Sequence, residues 1–286
     1  MPRAMLRPVT AADAAVCGRI CYEAFSAIAA QHNFPPDFPS PVFAESVLAS
    51  MLAHEQVTAT AAVIDDAVVG SCFVTDTGPI AAIGPISVAP DVQDGAIGRQ
   101  LMEHALDEAT RRGFVGVRLV QAAYHSRSMS LYAKLGFEVR EPLVCMQGPP
   151  LDLTIPGLTV RQARADDAER CNVLYFRVHG HTRQAEVADA IRQGLATVVE
   201  REGRVTGYAT LIGFPGHAVG ETNADLQALI GAARIFIGPG LLVPTRNGDL
   251  FRWCLARGLR VTQPLTLMSL GLYNEPSGVF LPSVLS

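Results

Sequence analysis

The sequence has 286 residues, 49% of them hydrophobic and 17% charged, enough to bury a sizeable core in each of two ordinary domains and too apolar for a disordered chain. A formal net charge of -4 and a pI of about 6.0 leave no basic footprint, which argues against nucleic acid or an anionic membrane as the main partner. The opening residues lack an apolar signal region, and no apolar run approaches the roughly 18 residues of a membrane span, so a cytoplasmic protein is expected.

In chain order, a short strand leads into a helix over 11–30, a Pro-rich loop over 33–41 and a second helix over 42–54. Strands near 57–64 and 68–75 flank the polar turn at Asp65-Asp66 and read as a hairpin. A strand over 81–89 precedes a helix from about Ala96 to Arg112, which stops at Gly113 with two arginines facing its negative dipole end. Strand 115–120, helix 127–135 and a last strand pair complete this half. Cys17, Cys21, Cys72, Cys145, Cys171 and Cys254 lie far apart or inside apolar segments, without the paired ligands of a zinc site, and read as reduced core thiols; no metal is expected.

A Gly/Pro-rich stretch over 149–157 is the linker candidate, dividing the chain into 1–148 and 158–286. The two halves begin alike: Arg7, Asp13, Ala14 and Cys17 match Arg161, Asp167, Ala168 and Cys171 at one offset. The turn at Asp65-Asp66 is echoed at Glu202-Gly203, and the helix end Tyr132 to Phe137 at Cys254 to Leu259. Three echoes in the same order argue for an internal duplication, and the element order of each half suits an α+β fold with a mixed, mostly antiparallel sheet flanked by helices.

Function is most legible in the segment from Ile86 to Arg99. An apolar strand (Ile86, Ser87, Val88) runs through a turn of small and polar residues (Gln93, Asp94, Gly95, Ala96) directly into an amphipathic helix (Ile97, Gly98, Arg99). Free backbone N–H groups at a helix start, with the dipole behind them, favour an anion, and small residues let phosphate oxygens approach. About thirty residues on stands His125-Ser126-Arg127-Ser128-Met129-Ser130-Leu131-Tyr132, closed by Gly136-Phe137.

These two segments resemble motifs A and B of the GNAT acetyltransferases. Gln93 and Gly98 match the pyrophosphate loop, Ala96 stands where Gly is usual, and Tyr132, Gly136 and Phe137 fall on the motif-B positions, with His125 and Ser128 replacing Asn and Ala. The resemblance implies two tandem GNAT-like domains and an acetyl-CoA-dependent N-acetyltransferase acting on a primary amine of a small molecule or peptide through a ternary complex. It implies cosubstrate contacts from Ile86, Ser87, Val88, Gln93, Asp94, Gly95, Ala96, Ile97, Gly98, Arg99, His125 and Ser128, with amides near Ile86 to Val88 polarising the thioester carbonyl. Tyr132 is the expected proton donor to the departing thiolate, and Glu23, His32, Asp37 and His125 are candidates for the base.

The second half reads as a degenerate copy. Cys254 stands in the position of Tyr132, and Glu221 and Asp225 occupy the counterpart of the phosphate loop, where they compete with an anion. The basic run Arg177, His179, His181, Arg183 reads as a solvated loop, and 273–283 as a packed C-terminus. An acyl-CoA-binding regulator with little turnover is the alternative function, and a structural role with homodimer formation the alternative for the second half.

Overall fold

The computed structural model describes residues 4–93 and 95–285. Its first half runs β1 (Met5–Pro8), α1 (Ala14–Gln31), α2 (Pro41–Leu52), β2 (Val57–Ile64), β3 (Ala67–Asp76), β4 (Ile80–Val88), α3 (Ile97–Arg111), β5 (Gly116–Ala122), α4 (Ser126–Lys134) and β6 (Glu138–Gln147). The second runs β7 (Thr159–Gln162), α5 (Ala168–His179), α6 (Gln184–Arg192), β8 (Thr197–Arg201), β9 (Arg204–Ala209), β10 (Ala218–Gly220), α7 (Asn223–Ala232), β11 (Leu241–Pro244), α8 (Gly248–Ala256), β12 (Arg260–Gly271) and β13 (Val279–Leu281). Two twisted sheets carry helices on their faces, antiparallel throughout except for the parallel pair β4–β5, in the α+β tandem architecture expected.

The duplication is visible in side-chain chemistry. Arg7 grips Asp13 at 2.7 and 2.9 Å, and Arg161 grips Asp167 at 2.6 and 2.9 Å. Each aspartate also accepts from a backbone N–H three residues earlier, so the same fork fixes the strand-to-helix corner in both halves. Both hairpins use left-handed residues, Asp65 and Asp66 in one and Glu202 and Gly203 in the other, as the twist of two-residue turns requires.

The expected closing strand pair of the first half is corrected by the structure. Glu138–Gln147 continues as one strand past Pro142, and its neighbour is β12, from the far end of the chain. The first sheet therefore reads β1-β2-β3-β4-β5-β12-β6-β11 among the described residues, while β13-β10-β9-β8-β7 form the second. β12 fills the slot between β5 and β6, and β11 covers the outer edge of β6, so one edge of β5 and both edges of β6 are paired by the second half. The linker over 149–157 separates the halves in sequence without separating the sheets.

A core of Leu101, Met102, Ala105, Val117, Leu119 and Phe137 packs α3 and α4 against one face of the first sheet. On the other face α1 and α2 close over Cys17, Cys21, Leu48 and Phe73. All six cysteines are buried thiols, which fits their apolar settings. No helix among the described residues is long and apolar enough to cross a membrane, and no group of three or more His, Cys, Asp or Glu is placed to hold a metal ion.

Candidate active site

The site begins with a divergence of two strands. β4 and β5 pair only through Ile80 to Ala82 and Gly116 to Arg118, after which the strands part. The pairing of β4 with β3 shifts register between Cys72 and Val74, opposite Gly84-Pro85. Pro85 has no N–H to give a ladder, so the strand bends away from β5 there. Beyond the bend, Ile86, Ser87 and Val88 run along β3 and keep a free edge toward the opening. Ser87 is buried and its hydroxyl has no hydrogen-bond partner.

From β4 the chain makes one tight turn and enters α3. Ala96 sits at the N-cap with φ 60°, a left-handed conformation that costs a residue bearing a Cβ about 1 kcal/mol, which is the physical reason a glycine suits this place. Alanine carries no atom able to accept from the first amides of α3, so Ile97, Gly98 and Arg99 present theirs outward. A Cβ on Gly98 would meet only Val88 at 3.8 Å and Leu131 at 3.9 Å, ordinary contacts. Packing does not demand the glycine, so its value is the open space it leaves.

Gln93 and Arg99 have partners within the protein. Gln93 Nε2 donates to the carbonyl of Val88 at 3.0 Å, and its Oε1 accepts from Arg127, so Gln93 ties the end of β4 to the start of α4. Arg99 pairs with Glu103 at 2.8 Å along the exposed side of α3. Gly95 lies in the bend before Ala96. Asp94 falls outside the described residues. Arg127, which the sequence pattern did not single out, adds a cation beside the loop.

Tyr132 lies within the core beneath the opening, its ring 6.1 Å from that of Phe137 and only 6% exposed. Burial, and then the neighbouring Cys72, push its phenol well above the ordinary value, while Ser128, one turn earlier, eases it. The proton therefore stays on Tyr132 at any physiological pH.

The base candidates separate clearly. Glu23 is exposed on α1. Asp37, in the loop between α1 and α2, accepts a 2.6 Å hydrogen bond from Nε2 of Gln263 on β12. The same glutamine accepts from Tyr124 Oη at 3.2 Å. Burial raises the pKa of Asp37, with Gln263 holding it partly down. Burial and the nearby Asp37 charge push Tyr124 up to about 12. Phe34 stacks on Tyr124 at 4.3 Å and His32 lies 5.3 Å from it, giving an aromatic wall around the carboxylate. His125 occupies the N-cap position of α4 without a capping side-chain bond; burial, then Arg127 and His32, lower its pKa, and its Nδ1 is buried without a partner. Gln263 and Tyr124 had no signal in the sequence, since one arrives from 226 residues away and the other follows a strand without any motif.

The equivalent region of the second half is closed by its own side chains. Asp225, fully buried, accepts from the backbone N–H and the hydroxyl of Thr222 and from Thr206, and pairs with Arg201 at 3.2 Å. The start of α7 thus carries its own anion. Asn223 and Asn247 exchange hydrogen bonds of 3.0 and 2.8 Å, joining the starts of α7 and α8. Cys254 is buried where Tyr132 stands in the first half. One expectation is overturned: His179, His181 and Arg183 are buried, with Arg177 alone of that run exposed, because the end of α5 and the turn after it fold inward, where His179 meets Phe280 of β13 and His181 meets Arg118 of β5 at 3.1 Å.

The model of the acetyltransferase (GNAT) family matches residues 25–137. The [ribosomal protein bS18]-alanine N-acetyltransferase of Salmonella typhimurium is 42% identical over 52 residues, 18% of this chain and 35% of that enzyme, so the chain spans about a third of the length of this curated relative. Among solved structures, a putative acetyltransferase from Pyrococcus horikoshii superposes with a TM-score of 0.71 at 18% identity, covering 98% of this chain and 95% of that one. A tandem GNAT protein from the clavulanic acid biosynthesis pathway superposes with a TM-score of 0.55 at 15% identity, over 94% and 98% of the two chains.

Proposed function

From the premise that this chain belongs to the GNAT superfamily and has its tandem fold, we propose that the first half is an acetyl-CoA-dependent N-acetyltransferase acting on a primary amine of a small molecule or peptide. Three observations support the reading: uncapped amides at the start of α3, a stretch of β4 at Ile86 to Val88 that pairs with β3 and has left β5, and a buried carboxylate at Asp37. The residues fit an acyl-CoA thioester. The amides of Ile97, Gly98 and Arg99, with Arg127 beside them, suit a pyrophosphate, and Gly98 leaves it room. When bound, the thioester supplies the activated acetyl group.

The chain's own residues then divide the work. Backbone N–H groups on the free edge of β4 stabilise negative charge on the carbonyl oxygen during attack. Asp37, its pKa raised by burial, takes the proton that an attacking ammonium must lose, directly or through water. Gln263 keeps that carboxylate oriented. Tyr132 is the proton donor to the departing thiolate; burial raises its pKa, which makes it a weaker acid than a free phenol and keeps it protonated until the thiolate charge develops beside it. Phe34, Tyr124 and His32 form a wall suited to an apolar or aromatic group next to the amine.

A desolvated carboxylate at the acceptor end supports turnover rather than acyl-CoA sensing alone. Thiol release from acetyl-CoA, followed with a panel of primary amines and short peptides, tests the proposal. Acceptor-dependent release that falls in Asp37→Asn is the expected result. Tight acetyl-CoA binding by calorimetry with no acceptor-dependent release would favour the sensor instead.

A further inference from the structure

The cleft between the two halves is lined by Arg118 of β5, Tyr175 and His179 of α5, Arg183 before α6, His217 before β10, and Tyr273 after β12. Arg118 is 3% exposed. Its Nη2 lies 3.1 Å from Nε2 of His181, its guanidinium faces the Tyr273 ring at 5.4 Å, and its Nε has no partner. Arg183, also 3% exposed, has an unpartnered Nε as well, and the hydroxyl of Tyr273 is buried without a partner.

The charges in this cluster do not balance. Glu186 is the carboxylate beside it among the described residues, and it is held by Arg183 at 2.5 Å and by His217 at 2.8 Å. Arg118 has no acid of its own. Burial, with the nearby guanidinium groups, lowers His181 to about 4 and His179 well below its ordinary range, and burial lowers His217, so the imidazoles are neutral at pH 7. An arginine does not shed its proton to escape such a setting. Among the described residues, two buried guanidinium groups face one carboxylate, with the Leu285 carbonyl accepting from Arg183 at 3.1 Å, a surplus of positive charge that is costly without a counter-ion.

We propose that this cleft binds one small monovalent inorganic anion of the halide class, held by Arg118 Nε, Arg183 Nε and the Tyr273 hydroxyl, and that the anion fastens the second half onto the first sheet. Size suits a small occupant: the free interior is about 10 Å³, space for one small ion. Location separates it from the acyl-transfer site, since Arg118 lies near the start of β5 and Tyr124 in the turn after its other end, with about 13 Å of strand from Arg118 to Ala122 at the usual rise.

The test is thermal unfolding of the full chain in chloride against gluconate at fixed ionic strength, with crystals grown in bromide. The wild type should melt at least about 3 °C higher in chloride, the linkage expected of a ligand that binds only the folded state. Arg118→Met should lose that difference, and bromide should give an anomalous peak within hydrogen-bonding distance of Arg118 Nε. Equal melting in both salts, a chloride effect that survives in Arg118→Met, or bromide crystals with water in the cleft would each overturn the proposal. Should Arg118→Met fail to fold, the wild-type bromide crystals decide alone.

Discussion

Asp37 and Gln263 meet at 2.6 Å across 226 residues of sequence, so the candidate base of the first half is oriented by a side chain on the last long strand of the second. The contact explains why a half that has closed its own phosphate site is still needed: it supplies β12, and with β12 the glutamine. The proposed acceptor end thus draws side chains from both halves, although each repeats the same Arg-Asp fork at its own start.

Asp37→Asn should lower kcat by about 10²–10³ with little change in acetyl-CoA affinity, the range expected for loss of a general base. Stability should move the opposite way. Burial raises the folded pKa of Asp37 above its unfolded value, so folding favours the protonated form and the ionised form costs stability at neutral pH. Removing the charge relieves that cost, so the variant should melt higher at pH 7 and show no difference at a pH well below the unfolded pKa. A variant that loses activity and stability together would point to a structural role.

Gln263→Leu removes the donor that holds the Asp37 pKa down. The acidic limb of kcat/KM should therefore move to higher pH, with the plateau rate falling less than in Asp37→Asn. An unmoved limb would mean that Asp37 does not titrate in catalysis.

Much of this was legible in the sequence, and the parts that were not have a common cause. Helix and strand positions, the hairpins at Asp65 and Glu202, and the α3 loop followed from local patterning, because propensity, turn chemistry and periodicity act within a few residues. Strand exchange did not, since β12 pairs with β5 and β6 through contacts that no local pattern encodes. The run from Arg177 to Arg183 misled for the same reason. Its polarity suits solvent, and only contacts distant in sequence, His181 with Arg118 and His179 with Phe280, bury it. The motif places Gln93 in the cosubstrate loop, and only the structure adds that its amide bridges Val88 and Arg127.

Tyr132→Phe keeps the ring in its core position and deletes only the proton donor. Thiol release should fall by about 10–10² in kcat with KM for acetyl-CoA nearly unchanged, and thioester analogues with more acidic leaving thiols should recover much of the loss. Equal loss with every leaving group would argue that the tyrosine acts by packing.

Ala96→Gly should relieve the left-handed strain at φ 60° and remove a methyl from the loop. Greater chain freedom in the unfolded state offsets part of the gain, so stability should change by no more than about 1 kcal/mol. Calorimetry should report tighter acetyl-CoA binding, by less than the tenfold that about 1.4 kcal/mol represents. Weaker binding would mean that the methyl makes a useful contact with the ligand.

Residues 1–148 expressed alone lack β12 and β11, leaving one edge of β5 and both edges of β6 without partners. Exposed edges of that kind promote association, so the fragment should aggregate or unfold without cooperativity. The register suggests a repair. Gln147 lies opposite Arg260 in an antiparallel pair, so a short turn joining 148 to 259 would deliver 259–272 into its native slot as a hairpin. That joined chain should unfold cooperatively, bind acetyl-CoA and retain the Asp37–Gln263 contact, while the simple fragment does none of these. A simple fragment that is monomeric, melts like the full chain and turns over amines would remove β12 from any part in the site.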